Sequence, residues 1–175
     1  MVKNALMALV AGTMLALPAQ AMDLHSVDVT DGAAMAKAQI YGRCGGQNIS
    51  PALAWSGAPN GTQSFALTMF DPDAGDAGWW HWIAYAIPKT VTHLEANAGR
   101  ADTAAFKQGA NDFHKREYDG PCPPAGSGPH HYQITLYALD VTQPDLQGAD
   151  APAKARDIFK AHALASATLT GIYER

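Results

Sequence analysis

Apolar residues along this 175-residue chain gather in short runs rather than long helical stripes. Ser64-Phe65-Ala66-Leu67-Thr68-Met69-Phe70 and Trp82-Ile83-Ala84-Tyr85-Ala86-Ile87 are nearly continuous and bounded by turn formers, the signature of strands covered on both faces. From His131 to Leu139 the pattern alternates in part. Tyr132, Ile134 and Leu136 are set against His131, Gln133 and Thr135, which predicts a strand with one face on a core. Leu24 to Val29 and Ala167 to Ile172 are weaker strand candidates. One helix is predicted, capped by Asp150, opened by Pro152 and running to about Ala165, with Ile158, Phe159 and Leu164 on its inner face. Residues 119–129 hold four prolines and three glycines, so they form a rigid irregular loop. Many short strands with a single late helix predict a mostly-β domain.

The N-terminus changes the address of that domain. Lys3, an apolar run from Ala5 to Leu17, and Ala19-Gln20-Ala21 make the three-part pattern of a secretory signal, residues 1–21, leaving one domain over 22–175. The run is too short to span a bilayer and no cysteine follows it to take a lipid. A periplasmic or secreted protein without a membrane span is expected. The formal net charge is −4 with only 12 Lys and Arg, so no basic stripe is available to neutralise phosphate backbones and nucleic acid is not an expected partner. Cys44 and Cys122 each sit in a Gly/Pro-rich loop, where an oxidising compartment would let them pair; the alternative is two inert buried thiols. Neither belongs to a Cys-x-x-Cys pair, which argues against a redox role.

Candidate chemistry lies at the ends of the apolar runs. Asp71-Pro72-Asp73, Trp80-His81-Trp82 and Gly128-Pro129-His130-His131-Tyr132 supply carboxylate, imidazole and phenol groups that would form one polar pocket if they converged. Buried groups of this kind are costly unless they partner one another or a ligand. On an extended segment His81 would point to one face, and Trp80 and Trp82 to the other. His130 and Tyr132 would share a face, with His131 turned away. Taken alone, Asp-Pro-Asp is a common turn and a lone histidine is more often a satisfied core residue. His25, His93, His114 and His162 carry no motif. No metal-ligand spacing is present, so no metal and no cofactor are expected. The nearest thing to a nucleophile elbow, Gly126-Ser127-Gly128, lacks the required spacing, and no enzyme activity is expected from it.

Gly46-Gln47-Asn48-Ile49-Ser50-Pro51-Ala52-Leu53-Ala54-Trp55, Phe70-Asp71-Pro72-Asp73, Trp80-His81-Trp82 and His130-His131-Tyr132 occur in that order. Together they resemble the phosphatidylethanolamine-binding protein family, and the ending from His162 to Tyr173 resembles its bacterial Raf-kinase-inhibitor-like branch. The resemblance covers nearly all of residues 22–175. It implies a β-sandwich flanked by one or more helices, and a pocket formed by Asp71, His81, His130 and Tyr132. Gly120 and Pro124 would wall that pocket, with Asp73 and Trp82 supporting it. His131 stands where the family usually has arginine, which replaces a fixed charge with one that depends on pH. The expected ligand is a small anionic or phosphorylated group such as a phospholipid head. The alternative is a protein-binding regulator or protease inhibitor acting through its surface; a hydrolase is a weaker reading.

Overall fold

The computed structural model describes residues 21–100, 105–146 and 151–175; residues 1–20 of the expected signal segment and Asp150 lie outside these residues. The elements in chain order are β1 (Asp23–His25), β2 (Ala33–Ala34), β3 (Leu53–Ser56), β4 (Ser64–Asp71), β5 (Trp79–Pro88), β6 (His93–Leu94), β7 (Lys107–Gln108), β8 (His130–Leu139), α1 (Pro152–His162) and β9 (Ala163–Tyr173). The continuous apolar runs become the central strands. β4 lies between β8 and β5 in a six-stranded sheet of order β2-β9-β8-β4-β5-β7, facing a three-stranded sheet of order β1-β3-β6. Every pair in the sandwich is antiparallel except β2 with β9.

Both faces of the large sheet are covered, which is why seven of the eight residues of β4 are buried. On the inner face Phe65, Leu67, Met69, Trp82, Ala84, Ile134 and Leu136 meet Leu24, Leu53, Trp55 and Leu94 of the small sheet. On the outer face Ala66, Trp80, Ile83, Tyr137 and Leu139 are covered by Ala155 and Phe159 of α1. A Phe at that position contributes about 3–5 kcal/mol to stability.

Several local expectations are corrected. The N-cap position of α1 is Ala151, which makes no side-chain cap bond. The helix ends at His162, and Leu164 lies on β9 with 45% of its surface exposed. Ten residue pairs along β8 compete for this segment, and ladder hydrogen bonds with a formed sheet outweigh helix propensity. The inner face of α1 is Pro152, Ala155 and Phe159, whereas Ile158 is half-buried. The tryptophans of β5 do not share a face. Met69 pairs with Trp82 and Phe70 with Trp80, which leaves His81 as the extra residue of a β-bulge. Trp80 therefore packs under α1 with Phe70, while Trp82 enters the inner core and donates to Gln108 Oε1 at 2.7 Å.

Cys44 and Cys122 form a disulfide across a sequence separation of 78 residues. It ties the loop before β3 to the proline-rich loop before β8. Closing a loop of that length is worth up to about 4.5 kcal/mol by chain entropy. The double variant Cys44→Ala/Cys122→Ala is expected to lose about 2–4 kcal/mol in urea unfolding. An unchanged midpoint would show that the surrounding loops hold without the cross-link.

Candidate functional site

β4 ends at Asp71 beside the start of its neighbour β8 at His130, and the β5 bulge brings His81 to the same end of the sheet. These elements and the proline-rich loop enclose a cavity of about 490 Å³. Asp71, Asp73, His81, Pro124, His130 and Tyr132 all line it, joined by Trp79, Phe113, Cys122, Pro123 and Ser127. Trp82 and Gly120 do not line it. Trp82 supports the wall from the core. Gly120 acts through its backbone: a Cβ there would lie 1.9 Å from the Gln39 carbonyl oxygen, so only glycine lets the loop pass.

The carboxylates and imidazoles are held from behind. Asp71 Oδ1 accepts the Asp73 N–H at 2.9 Å, the side-chain-capped turn that Asp-Pro-Asp predicts, which leaves Oδ2 to accept from His130 Nδ1 at 2.7 Å. The far nitrogen of His130 lies 3.0 Å from Ser127 Oγ. His131 turns outward, as the strand alternation requires, and its backbone N–H and Nδ1 both donate to Asp73 Oδ2 at 2.8 Å. His81 Nδ1 donates to the Asp119 carbonyl at 2.7 Å, which fixes the tautomer and leaves Nε2 as the free ring nitrogen. The His81 ring sits edge-on to Phe113 and Tyr132. Trp79, 38% exposed and edge-on to Phe113, stands at the mouth.

Burial decides the electrostatics. Desolvation pushes the His81 pKa below its usual 6.5, outweighing the Asp119 carbonyl and the Asp71 and Asp119 carboxylates, so the free cavity presents a neutral imidazole. Burial, then the nearby Asp71 carboxylate, holds the Tyr132 phenol far above its ordinary range, so it keeps its proton. Its hydroxyl is buried without a well-aligned hydrogen-bond partner. The side-chain hydrogen bond from His131 holds Asp73 below the usual carboxylate range. Among the described residues no cluster of three or more His, Cys, Asp or Glu is arranged to hold a metal ion.

Residues 111–119 carry no motif, yet this stretch orients His81. The Asp119 side chain is fully buried; it accepts from Lys115 Nζ at 3.0 Å, Asn111 Nδ2 at 3.0 Å and Asn48 Nδ2 at 3.3 Å. The His81 carbonyl, unpaired by the bulge, accepts from the Asp119 N–H at 3.1 Å and Asn111 Nδ2 at 3.2 Å. Asn48, in the left-handed region at φ 55°, also accepts the Gly120 N–H at 2.7 Å. Phe113, Trp79 and Ser127 were likewise missed as lining residues. No spacing rule marks them, because Phe113 and Ser127 reach the cavity from loops and Trp79 from the very start of β5.

Fold and cavity together define a two-sheet β-sandwich with a polar cavity at the ends of its central strands. The model of the phosphatidylethanolamine-binding protein family matches residues 25–174, and the chain belongs to that family. It is 39% identical over 163 residues to the Escherichia coli protein YbcL, covering 89% of each chain. It is 37% identical to Escherichia coli YbhB, covering 87% of this chain and 99% of that one. The crystal structure of YbcL, described as a new member of the mammalian family, superposes with a TM-score of 0.83 over 89% of this chain and 99% of that one. The Chlamydia trachomatis homologue CT736 gives 0.74 at 31% identity, covering 89% and 98%.

Two outcomes test this geometry. The folded state disfavours protonated His81, so its contribution to stability is complete above about pH 6.5 and is lost as pH falls from there toward the lowered folded-state pKa. Thermal unfolding between pH 7.5 and 5 is expected to show this loss in the parent and a flatter profile in His81→Phe. Asp119→Ala removes the acceptor of the buried Asn111 amide and the half-buried Asn48 amide, and is expected to cost about 2–4 kcal/mol in chemical denaturation.

Proposed function

We propose that this chain is a periplasmic or secreted binder of a small phosphorylated ligand, such as a phospholipid head or a phosphorylated metabolite. The observation that supports it most directly is the His81 ring. Its Nδ1–H is held by the Asp119 carbonyl, so the open Nε2 becomes a charge-assisted donor to an anion once a second proton is taken up. The carboxylates of Asp71 and Asp73 do not oppose this strongly, because each is engaged by a histidine, His130 and His131. Ser127 adds a hydroxyl at the rim, and Trp79 and Phe113 offer aromatic faces to an ammonium group if the ligand carries one. The disulfide supports an oxidising compartment. Among the described residues no helix is long and apolar enough to cross a membrane.

Titration of residues 22–175 with phosphoethanolamine and inorganic phosphate, followed by tryptophan fluorescence, tests the reading. Trp79 is the reporter, since Trp80 and Trp82 are buried away from the cavity. A saturable change is expected at pH 5.5 and lost in His81→Ala. Because binding takes up a proton, affinity is expected to fall toward pH 8, by at most about tenfold per pH unit. Equal affinity at both pH values would rule out imidazole-based capture, and a flat response to both compounds would favour a regulator acting through its surface.

A further inference from the structure

Ser127, His130 and Asp71, which the binding reading uses only as separate groups, also stand in a relay. Ser127 Oγ is 3.0 Å from His130 Nε2, and His130 Nδ1 donates to Asp71 Oδ2 at 2.7 Å. These are the distances required of a nucleophile, its base and the carboxylate that orients the base. The three roles also have the environments they need. Asp71 is 2% exposed and its other oxygen is fixed by the Asp73 N–H, so its free oxygen has one direction to face. His130 is 4% exposed and held on a central strand. Ser127 is exposed on the loop before it and lines the cavity, where a substrate arrives. Its hydroxyl hydrogen has two acceptors within reach, the Pro124 carbonyl at 2.9 Å and His130 Nε2. Rotation about the C–O bond alone passes it from a turn-closing contact to the base. The chain order Asp, Ser, His matches no nucleophile elbow, but such relays are defined by geometry rather than sequence order.

We propose that Ser127 is an activated nucleophile that cleaves small carboxylic esters, with His130 as its base and Asp71 as the positioning residue. Ser127 Oγ attacks the ester carbonyl carbon, and its proton passes to His130 Nε2. The carbon–alkoxide bond then breaks, His130 returns the proton to the leaving alkoxide, and an alcohol departs from an acyl-Ser127 intermediate. Water, activated by His130 in the same way, attacks the acyl carbon, releases the carboxylic acid and restores the serine. Asp71 keeps the His130 ring turned toward Ser127 throughout. A neutral ester suits a cavity that carries the carboxylates of Asp71 and Asp73, and its apolar part meets Trp79, Phe113, Pro123 and Pro124.

The test is incubation of residues 22–175 with a fluorophosphonate probe, with the adduct located by peptide mass spectrometry, alongside turnover of p-nitrophenyl acetate. The expected result is an adduct on Ser127. Turnover should fall to the uncatalysed background in Ser127→Ala and about 10²-fold or more in His130→Gln. Ser56→Ala, an exposed serine on β3, should label and turn over like the parent. Asp71→Asn keeps an acceptor for the Asp73 N–H but faces His130 with an amide. It should lower kcat about 10²-fold or more with KM unchanged, a split that mere loss of structure would not produce. No adduct on Ser127, or turnover unchanged in Ser127→Ala, overturns the proposal. Phosphoethanolamine titration of the same preparation separates the two readings. Binding without an adduct leaves the ligand site and removes the nucleophile, while an adduct without binding does the reverse.

Discussion

The buried carboxylate of Asp119 is the constraint around which the cavity is organised. A charge removed from water must be met by enough donors to offset its lost hydration, and here Lys115, Asn111 and Asn48 supply them. Those three residues come from two loops, so one carboxylate ties both together. Burial works against the charge on Lys115, but its hydrogen bonds to Asp119 and Glu117 outweigh that and hold the ammonium firmly protonated. Asp119 also offers its backbone carbonyl to His81 Nδ1 and its N–H to the His81 carbonyl. The orientation of the imidazole is therefore a consequence of where Asp119 finds its partners.

The β-bulge at His81 is the second half of this arrangement. A regular ladder would place Trp80 and Trp82 on one face and leave the imidazole to face the other alone. The extra residue divides the two tryptophans between the outer and inner cores, so the strand end is clamped from both sides. A bulge leaves backbone groups unpaired, and the loop through Asn111 and Asp119 satisfies them. On the opposite wall the Asp71 turn aims one oxygen at His130, and the disulfide holds the proline-rich loop over the cavity. Bulge, turn and cross-link together place the imidazoles without using either on the other.

Much of the fold was legible because burial on both faces leaves a direct trace in composition. The uninterrupted apolar runs of β4 and β5 have no other economical explanation, and the alternation of β8 separates His130 and Tyr132 from His131 as the structure does. The Asp-Pro-Asp turn was legible because its hydrogen bond is local. The boundary between α1 and β9 was not, since Leu164 and its neighbours are as acceptable to a helix as to a strand until β8 is alongside. Nor was the contribution of Asp119, Asn48, Phe113 or Ser127. Asp119 acts on His81 across 38 residues and Asn48 on Asp119 across 71, where no periodicity connects them, while Ser127 lies three residues from His130 on an irregular loop that carries no repeat.

By itself the sequence determined the central strands, the outward turn of His131 and the set of polar groups available at the strand ends. These depend on the two-residue repeat of an extended chain and on local hydrogen bonds. Only the tertiary structure decided that His81 occupies a bulge, that its tautomer is set by a backbone carbonyl, and that the neighbouring Ser127 and His130 meet Asp71. Each of those requires segments remote in sequence to be packed together, and the burial that packs them also depresses the His81 pKa and keeps the Tyr132 phenol protonated.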